Sequence, residues 1–423
     1  MKIRNIVFVF FLVLALALAA CGGGGAAPTA APSGGGQINI GALYDLTGAT
    51  SDVGKDYALG IQEAIGCLND AGGINGKTIK LSQSDYGYRV PEAITIYKRF
   101  RDFDKVIALL GWGTGDTAAL APTVAKDQIP DISASYSGEL SDASKTPYNF
   151  FAATDYSTNA RAAMQVWYDE VWKKDPKYAS EQSRKPRFIA LYDTTSPYAS
   201  APIKAIKEHA ALLGFEMGPD QSVSLFALDT KTQVLAAKEF KADLVWHGNT
   251  TMSVSAALKD EKALGLNADN IINNWGFDEN LPRLAADAAE GAMGIGMTAF
   301  YAENVPGMDK VLACGQKYNP GVPKDQRLIR TIQAWANVAL LKEALLRADK
   351  AGQLTGPGIR AAIETMQNVD IGLGVTPLTF TATDHRPGSV VRIYQFKGGK
   401  PVLVKAIDMK AKWPDKWSSW LGY

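Results

Sequence analysis

The stretch Val106–Leu140, VIALLGWGTGDTAALAPTVAKDQIPDISASYSGEL, decides how the rest of the chain is read. Val106–Leu110 is a short apolar, partly β-branched run stopped by Gly111, the pattern of a strand buried on both faces. Gly111, Gly113 and Gly115 then let the chain turn tightly and bring backbone N–H groups close to another molecule. Asp116 or Thr114 is the expected cap of a helix through Ala118–Lys126, and Ile129-Pro130 opens a second strand over Asp131–Ala134. Strand, loop, helix and strand form a right-handed parallel unit, so both strands end on one edge of the sheet. Trp112 and Thr114 follow the first strand, and Ser135 and Tyr136 follow the second. Open parallel sheets bind ligands at the carboxyl ends of their strands, which makes this edge the first candidate site. A dinucleotide fits it poorly. Gly111-Trp112-Gly113 begins a G-x-G-x-x-G pattern, but Asp116 stands at the third position, where pyrophosphate would meet a carboxylate.

Outward from this unit the chain alternates strand and helix. Ile38–Ala42 and Thr78–Ser84 read as strands, and Gly54–Asn69 as a helix with apolar residues at Ala58, Ile61, Ile65 and Leu68. A second doubly wound set follows, with strands at Phe188–Tyr192, Asp243–Trp246 and Asn270–Asn274 and helices at Asn159–Trp172, Ala201–Leu213 and Ser253–Leu264. Arg330–Ala351 is a long amphipathic helix and Gly356–Gln367 a shorter one. A length of 423 residues is enough for two lobes.

Composition excludes several classes. A net charge of +1 with 21% charged residues argues against a nucleic-acid binder or a polybasic membrane-surface protein. The three histidines, His209, His247 and His385, show no metal-ligand spacing with each other or with the cysteines, so no metal or cofactor is expected. No G-x-S-x-G elbow occurs, and Asp45 and Asp52 read as loop and cap aspartates rather than an acid–base pair. His247, at a strand end, reads as a hydrogen-bonded wall residue. Nothing in these patterns makes an enzyme. Cys67 and Cys314 lie on expected helices and read as small buried hydrophobes, with pairing left open.

The amino terminus carries Lys2 and Arg4, then the apolar run Ile6–Leu18, too short for a comfortable membrane span, then Leu18-Ala19-Ala20-Cys21. This resembles the bacterial lipoprotein box, which implies cleavage before Cys21, lipid on its thiol, and an exported protein tethered to the membrane without spanning it. Gly22–Gly36 holds only Gly, Ala, Pro, Thr and Ser and reads as a flexible tether.

The order IGALYDLTG, helix, NDAGGINGK, strand, LLGWGTGDTAALAP and IPDISASYSGEL resembles the leucine/isoleucine/valine-binding family, the periplasmic solute receptors of ATP-driven importers. The resemblance runs from about Ile38 to about Lys397. It implies the type-I α/β fold of two Rossmann-like lobes joined by three hinge crossings. Residues 37–155 with 300–390 would form the first lobe, and 156–299 with 391–423 the second, behind a signal peptide over 1–20 and a tether over 21–36. It implies a small-molecule ligand held between the lobes, and a permease and ATPase as partners. Carried over by motif, Trp112, Gly113 and Thr114 align with one carboxylate-binding segment and Ala134, Ser135 and Tyr136 with the other. Tyr198 matches the aromatic of the family's Y-G turn, and Asn249 falls where the family has an aromatic after G-G. Trp275 stands where the amino-acid receptors carry a carboxylate for the ligand's ammonium, with Asp278 and Glu279 just beyond. Either Asp278 reaches into the cleft, or the ligand has no ammonium. Trp112, Tyr136, Tyr198, Trp275 and Phe277 together predict an aromatic-lined cleft for an apolar carboxylate, an aromatic acid or a branched-chain amino acid. A sensory receptor on the same fold is the competing reading. Lys405–Tyr423, with Trp413, Trp417 and Trp420, departs from the family and is expected to dock on a lobe.

Overall fold

A computed structural model of the protein describes residues 35–423. The expected signal peptide, Cys21 and most of the expected tether lie outside the described residues.

Two twisted sheets organise the chain. The first contains β1 (Gln37–Tyr44), β2 (Thr78–Asp85), β3 (Ala108–Gly111), β4 (Asp131–Ser133) and β5 (Asn149–Phe150), all parallel, in the order β2-β1-β3-β4-β5. The four residues of β3 are all buried, as a strand covered on both faces requires. The second contains β6 (Arg187–Tyr192), β7 (Glu216–Met217), β8 (Gln221–Ser222), β9 (Leu244–His247), β10 (Asp269–Ile272), β11 (Met293–Gly296), β12 (Val390–Lys397) and β13 (Lys400–Asp408). Its order is β13-β12-β11-β10-β9-β6-β7, with β8 also on β6, and only β12 and β13 run antiparallel to their neighbours.

The chain passes between sheets three times. It leaves the first after β5 and builds the second through β11. It then returns to lay the helices Met308–Tyr318 and Ile329–Lys350 beside the Ser51–Asp70 helix on the first sheet. It crosses finally into β12. Cys67 and Cys314 join the Ser51–Asp70 and Met308–Tyr318 helices in a disulfide, with Cα atoms 6.1 Å apart across a separation of 247 residues.

Several local expectations shift. The helix after β3 begins at Thr114, four residues before the expected start. Gly113 is its N-cap, and Asp116 sits in the first turn accepting from Gly113 N. The helix expected over Asn159–Trp172 starts at Tyr156, capped by the Asp155 carboxylate, and its last turns widen over Trp167–Trp172.

The carboxyl-terminal segment docks on elements of both sheets, not on one lobe. Trp417 lies under the Arg386 guanidinium at 3.9 Å, on the chain that precedes β12. Trp420 and Tyr423 lie against Arg161 of the Tyr156–Val166 helix at 4.6 and 5.3 Å. The backbone of Tyr423 closes on Gly138, in the loop that follows β4.

Candidate functional site

The carboxyl edges of the two sheets face each other across a small, partly open cavity. Its walls are Thr50, Val53, Tyr88, Trp112, Gly113, Thr114, Tyr156, Tyr198, Thr250 and Trp275. None of these side chains is charged. Three of the residues, Thr50, Gly113 and Thr250, are the N-caps of the Ser51–Asp70, Thr114–Asp127 and Thr251–Leu264 helices. The cavity therefore meets three helix amino termini, each with first-turn N–H groups that lack intrahelical partners.

Each wall is fixed from behind. After β1, the buried Asp45 carboxylate gathers its own loop, accepting from Gly48 N, Thr50 N and Thr50 Oγ1 at 2.6–2.8 Å. Thr50 Oγ1 in turn accepts from Trp112 Nε1 at 2.9 Å, which holds the indole against the cleft. Gly113 has no room for a side chain. A Cβ there would stand 2.4 Å from Asp116 Oδ1 and 2.5 Å from the Tyr86 hydroxyl. Asp116 accepts from Tyr86 OH at 2.7 Å, and burial pushes its carboxyl up to about 7. Thr114 Oγ1 accepts from Ser135 Oγ at 2.9 Å, tying the loop after β3 to the loop after β4.

The aromatic rings form one cluster across the cleft. Trp275 crosses Trp112 at 4.9 Å and 65°, and its Nε1 donates to Tyr156 OH at 2.9 Å. Tyr156 crosses Tyr198 at 5.5 Å and 68°. Tyr136 stacks behind Trp275 at 6.1 Å, and Tyr57 touches both tryptophans. Arg330, in the first turn of the Ile329–Lys350 helix, lies over Trp275 at 4.9 Å. The hydroxyls of Tyr198 and Thr250 are buried without hydrogen-bond partners, although the first lies near the Trp275 backbone and the second beside Asp52.

Of the residues singled out in the sequence, Trp112, Gly113, Thr114, Tyr198 and Trp275 line this cavity. Ala134, Ser135 and Tyr136 form the layer behind it. Three others do not reach it. Asn249 is consumed in tying loops together: its Nδ2 donates to Val223 O, Ser224 O and Ser253 Oγ, and its Oδ1 accepts from Asp193 N. Phe277 points the other way, stacked on Phe396 at 4.3 Å in a separate core. The 3₁₀ turn Asn274–Gly276 rotates the chain, so Trp275 faces the cleft and Phe277 its opposite side.

Asp278 does not supply a free carboxylate either. It accepts from Thr251 Oγ1 at 2.6 Å and from Asn280 N and Leu281 N, and it pairs with Arg330 at 3.1 Å, both side chains fully buried. Glu279 accepts from Tyr301 N and Ile329 N, and burial pushes its carboxyl up to about 7. His247 is hydrogen-bonded as expected, buried between Asn270 and Glu261 at 3.0 and 3.1 Å, but it is not among the residues that wall the cavity.

Thr50, Val53, Tyr88, Tyr156 and Thr250 were not singled out from the sequence. Thr50, Tyr88 and Thr250 follow the carboxyl ends of β1, β2 and β9, so the strand-end rule that located Trp112 reaches them too. A further contact joins the two sides of the cleft. Asp52, in the first turn of the Ser51–Asp70 helix, accepts from Met252 N at 3.1 Å, and burial pushes its carboxyl up to about 6. Among the described residues no cluster of His, Cys, Asp and Glu is placed to hold a metal, and no helix is long and apolar enough to cross a membrane.

Two parallel-sheet lobes with a charge-free cavity between their carboxyl edges define the type-I solute-receptor class. The chain belongs to the periplasmic binding protein family, whose model matches residues 37–400. It is similar to a Leu/Ile/Val-binding protein homolog 7 of Brucella suis, at 22% identity over 87% of this chain and 91% of that one. Its similarity to an amino acid binding protein of Pseudomonas aeruginosa is 39% identical but spans 72 residues, 17% of this chain and 19% of that protein. Among solved structures, an ABC transporter substrate-binding protein of Aeropyrum pernix matches with TM-score 0.78 and 31% identity, over 88% of this chain and 96% of that one. A Thermus thermophilus branched-chain amino acid ABC transporter structure with bound valine matches with TM-score 0.81 and 24% identity, over 91% and 100% of the two chains.

Proposed function

We propose that the protein is the extracytoplasmic solute receptor of an ABC importer, anchored through lipid on Cys21. It takes up a compact, largely apolar, carboxylate-bearing solute in the interlobe cavity and delivers it to a permease and its ATPase. It catalyses no reaction. The carrying observation is a cavity of five aromatic and three threonine side chains, with no charge among them, that draws on both lobes and sits on three helix amino termini. A carboxylate held by threonine hydroxyls and free backbone N–H groups of the cavity wall needs no arginine. Trp112, Gly113, Thr114, Tyr198 and Trp275 touch ligand in this reading, joined by Tyr88, Tyr156 and Thr250, while Ser135 and Tyr136 hold them in place. The work is selection by hinge closure: ligand binds both lobes and shifts the population to the closed form.

The direct test is thermal unfolding against a panel of aliphatic and aromatic carboxylates and amino acids. A solute at about a hundred times its dissociation constant stabilises by roughly 2.7 kcal/mol. Loss of that shift in Thr114→Val supports the site. A panel with no stabilising member, or turnover of one, defeats the reading.

A further inference from the structure

A second recess lies between the lobes, beside the cavity and nearer the surface. Three chain segments pass from one to the other within a residue or two. Ala49 lines the recess and Thr50 the cavity, Gly115 the recess and Thr114 the cavity, Pro197 the recess and Tyr198 the cavity. Tyr88 lines both, and it alone does so. Its ring is seated on Gly113, where a Cβ would stand 2.6 Å from Tyr88 Cε2. Its hydroxyl reaches Ser196 on the other lobe. The half-buried ring therefore spans the cleft at the boundary between cavity and recess.

The backbone holds the ring there at a cost. Tyr88 has a φ of +58°, in the left-handed region that a bulky side chain seldom adopts. Such strain persists where the surroundings over-determine it. Here the Asp85 carboxylate fixes the loop, accepting from Leu46 N, Thr47 Oγ1 and Gly87 N at 2.7–2.9 Å.

Beyond the ring, Ala49, Val90, Pro197 and Leu225 give the recess an apolar track. Its two acids are engaged: Asp193 accepts from Thr195 N, Thr195 Oγ1 and Leu225 N, and Asp116 from Tyr86 OH and Gly113 N. A solute carboxylate on that side would meet like groups. The hydroxyls buried without partners, on Tyr198 and Thr250, belong to the cavity instead. The charged end of a solute is thus served inside the cavity, and its chain is the end that points at Tyr88.

Resting on the reading of this cavity as the solute site, we propose that Tyr88 sets the length of the solute: its ring closes the cavity against the recess, so that a compact chain fits and a longer one is refused.

The test is calorimetric titration of the purified protein, Tyr88→Gly and Tyr88→Phe with two unbranched series, carboxylates from propionate to decanoate and 2-amino acids from alanine to 2-aminodecanoate. The series carry the same chains on heads with and without an ammonium, so head chemistry does not decide the outcome. Glycine adopts a φ of +58° without strain, so Tyr88→Gly removes the ring without asking the backbone to move. Each CH₂ buried in an apolar track is worth about fourfold in affinity. The unaltered protein is expected to lose about tenfold once the chain exceeds its preferred length. In Tyr88→Gly the preferred chain is expected to be longer by about three carbons, and to bind about tenfold more tightly than it binds the unaltered protein. Tyr88→Phe keeps the ring and is expected to keep the original length preference. An unmoved preference in Tyr88→Gly overturns the proposal. So does the same lengthening in Tyr88→Phe, or a failure of every chain to bind any of the three proteins. The underlying site reading fails separately. A solute from the wider panel that is indifferent to both Thr114→Val and Tyr88→Gly binds elsewhere. One weakened by Thr114→Val, with its length preference unmoved in Tyr88→Gly, leaves the cavity as the site and removes only the role of Tyr88.

Discussion

Replacing Arg330 by Met tests whether the cleft is locked by a buried ion pair. Arg330 belongs to the Ile329–Lys350 helix, which packs on the first sheet, yet its partners belong to the loop that follows β10 of the second. Its Nη1 donates to Asn274 O at 2.8 Å, and its Nη2 reaches Phe277 O at 3.4 Å and Asp278 at 3.1 Å. Methionine keeps most of the stem and its packing but leaves Asp278 without a counter-charge in a fully buried position. Removing one partner of such a pair costs about 3–5 kcal/mol. Asp278 retains hydrogen bonds from Thr251, Asn280 and Leu281, which places the cost at the lower end, about 3 kcal/mol. If the pair forms only as the lobes close, that cost falls on closure, and affinity for the tightest solute of the panel drops roughly a hundredfold. Adding Asp278→Asn removes the stranded charge and is expected to restore at least half of the loss in free energy. Calorimetric affinity and unfolding of both variants are the measurements. An Arg330→Met protein that is less stable but binds unchanged refutes the lock, because the pair then persists in the open form. A double variant no better than the single one refutes the stranded-charge argument.

Other consequences are measurable by unfolding. Loss of the Cys67–Cys314 bond, by reduction or as the double Ser variant, releases a loop of 247 residues and is expected to cost up to about 5 kcal/mol in urea titrations. No difference between oxidised and reduced protein would show that the bond constrains nothing. Burial raises the carboxyl of Asp116 to about 7, so its contribution is full below about pH 4 and is lost as pH rises through 7. The melting temperature should therefore fall between pH 5 and 8, and less so in Asp116→Asn; parallel slopes would contradict this. Trp420→Ala empties a buried position against Arg161 and is expected to destabilise by about 3–5 kcal/mol in denaturant unfolding. A change below 1 kcal/mol would mean that the tail is not part of the core.

The fold was legible because its signals are local. The run into Gly111 announced a strand buried on both faces, and the alternation with helices repeated this unit often enough to define two parallel sheets. The strand-end rule led to Trp112 and Thr114, and the family resemblance to Tyr198 and Trp275, all four of which line the cavity. It faltered where a side chain's direction depends on one turn. Trp275 and Phe277 are two residues apart and equally aromatic, and only the 3₁₀ turn between β10 and the following helix sends one into the cleft and the other into a core. Asn249 follows a strand end as Trp112 does, but its amide matches four loop groups that no spacing announces.

What stayed hidden is what joins distant segments. Arg330 and Asp278 are separated by 52 residues, and Asp52 meets Met252 across 200. Each such contact starts from an amino-terminal helix turn on one lobe and meets the other lobe, at a loop for Asp278 and at a second helix turn for Met252, and nothing in either sequence neighbourhood marks it. The tail extends the same logic to the far side. Arg386 donates to Trp417 O at 2.9 Å, while Arg161 donates to Tyr423 O at 3.1 Å from the helix that begins with the cavity residue Tyr156. Tyr156 N in turn donates to Tyr136 O at 2.7 Å, in the loop whose next turn, at Gly138, touches Tyr423. The segment beyond β13 is therefore tied to the helix that begins with the cavity residue Tyr156 and to the loop that carries Tyr136 behind the cavity. A substitution in the tail should change how those rings are presented as well as how stable the protein is, and solute affinity in the Trp420→Ala protein separates the two effects.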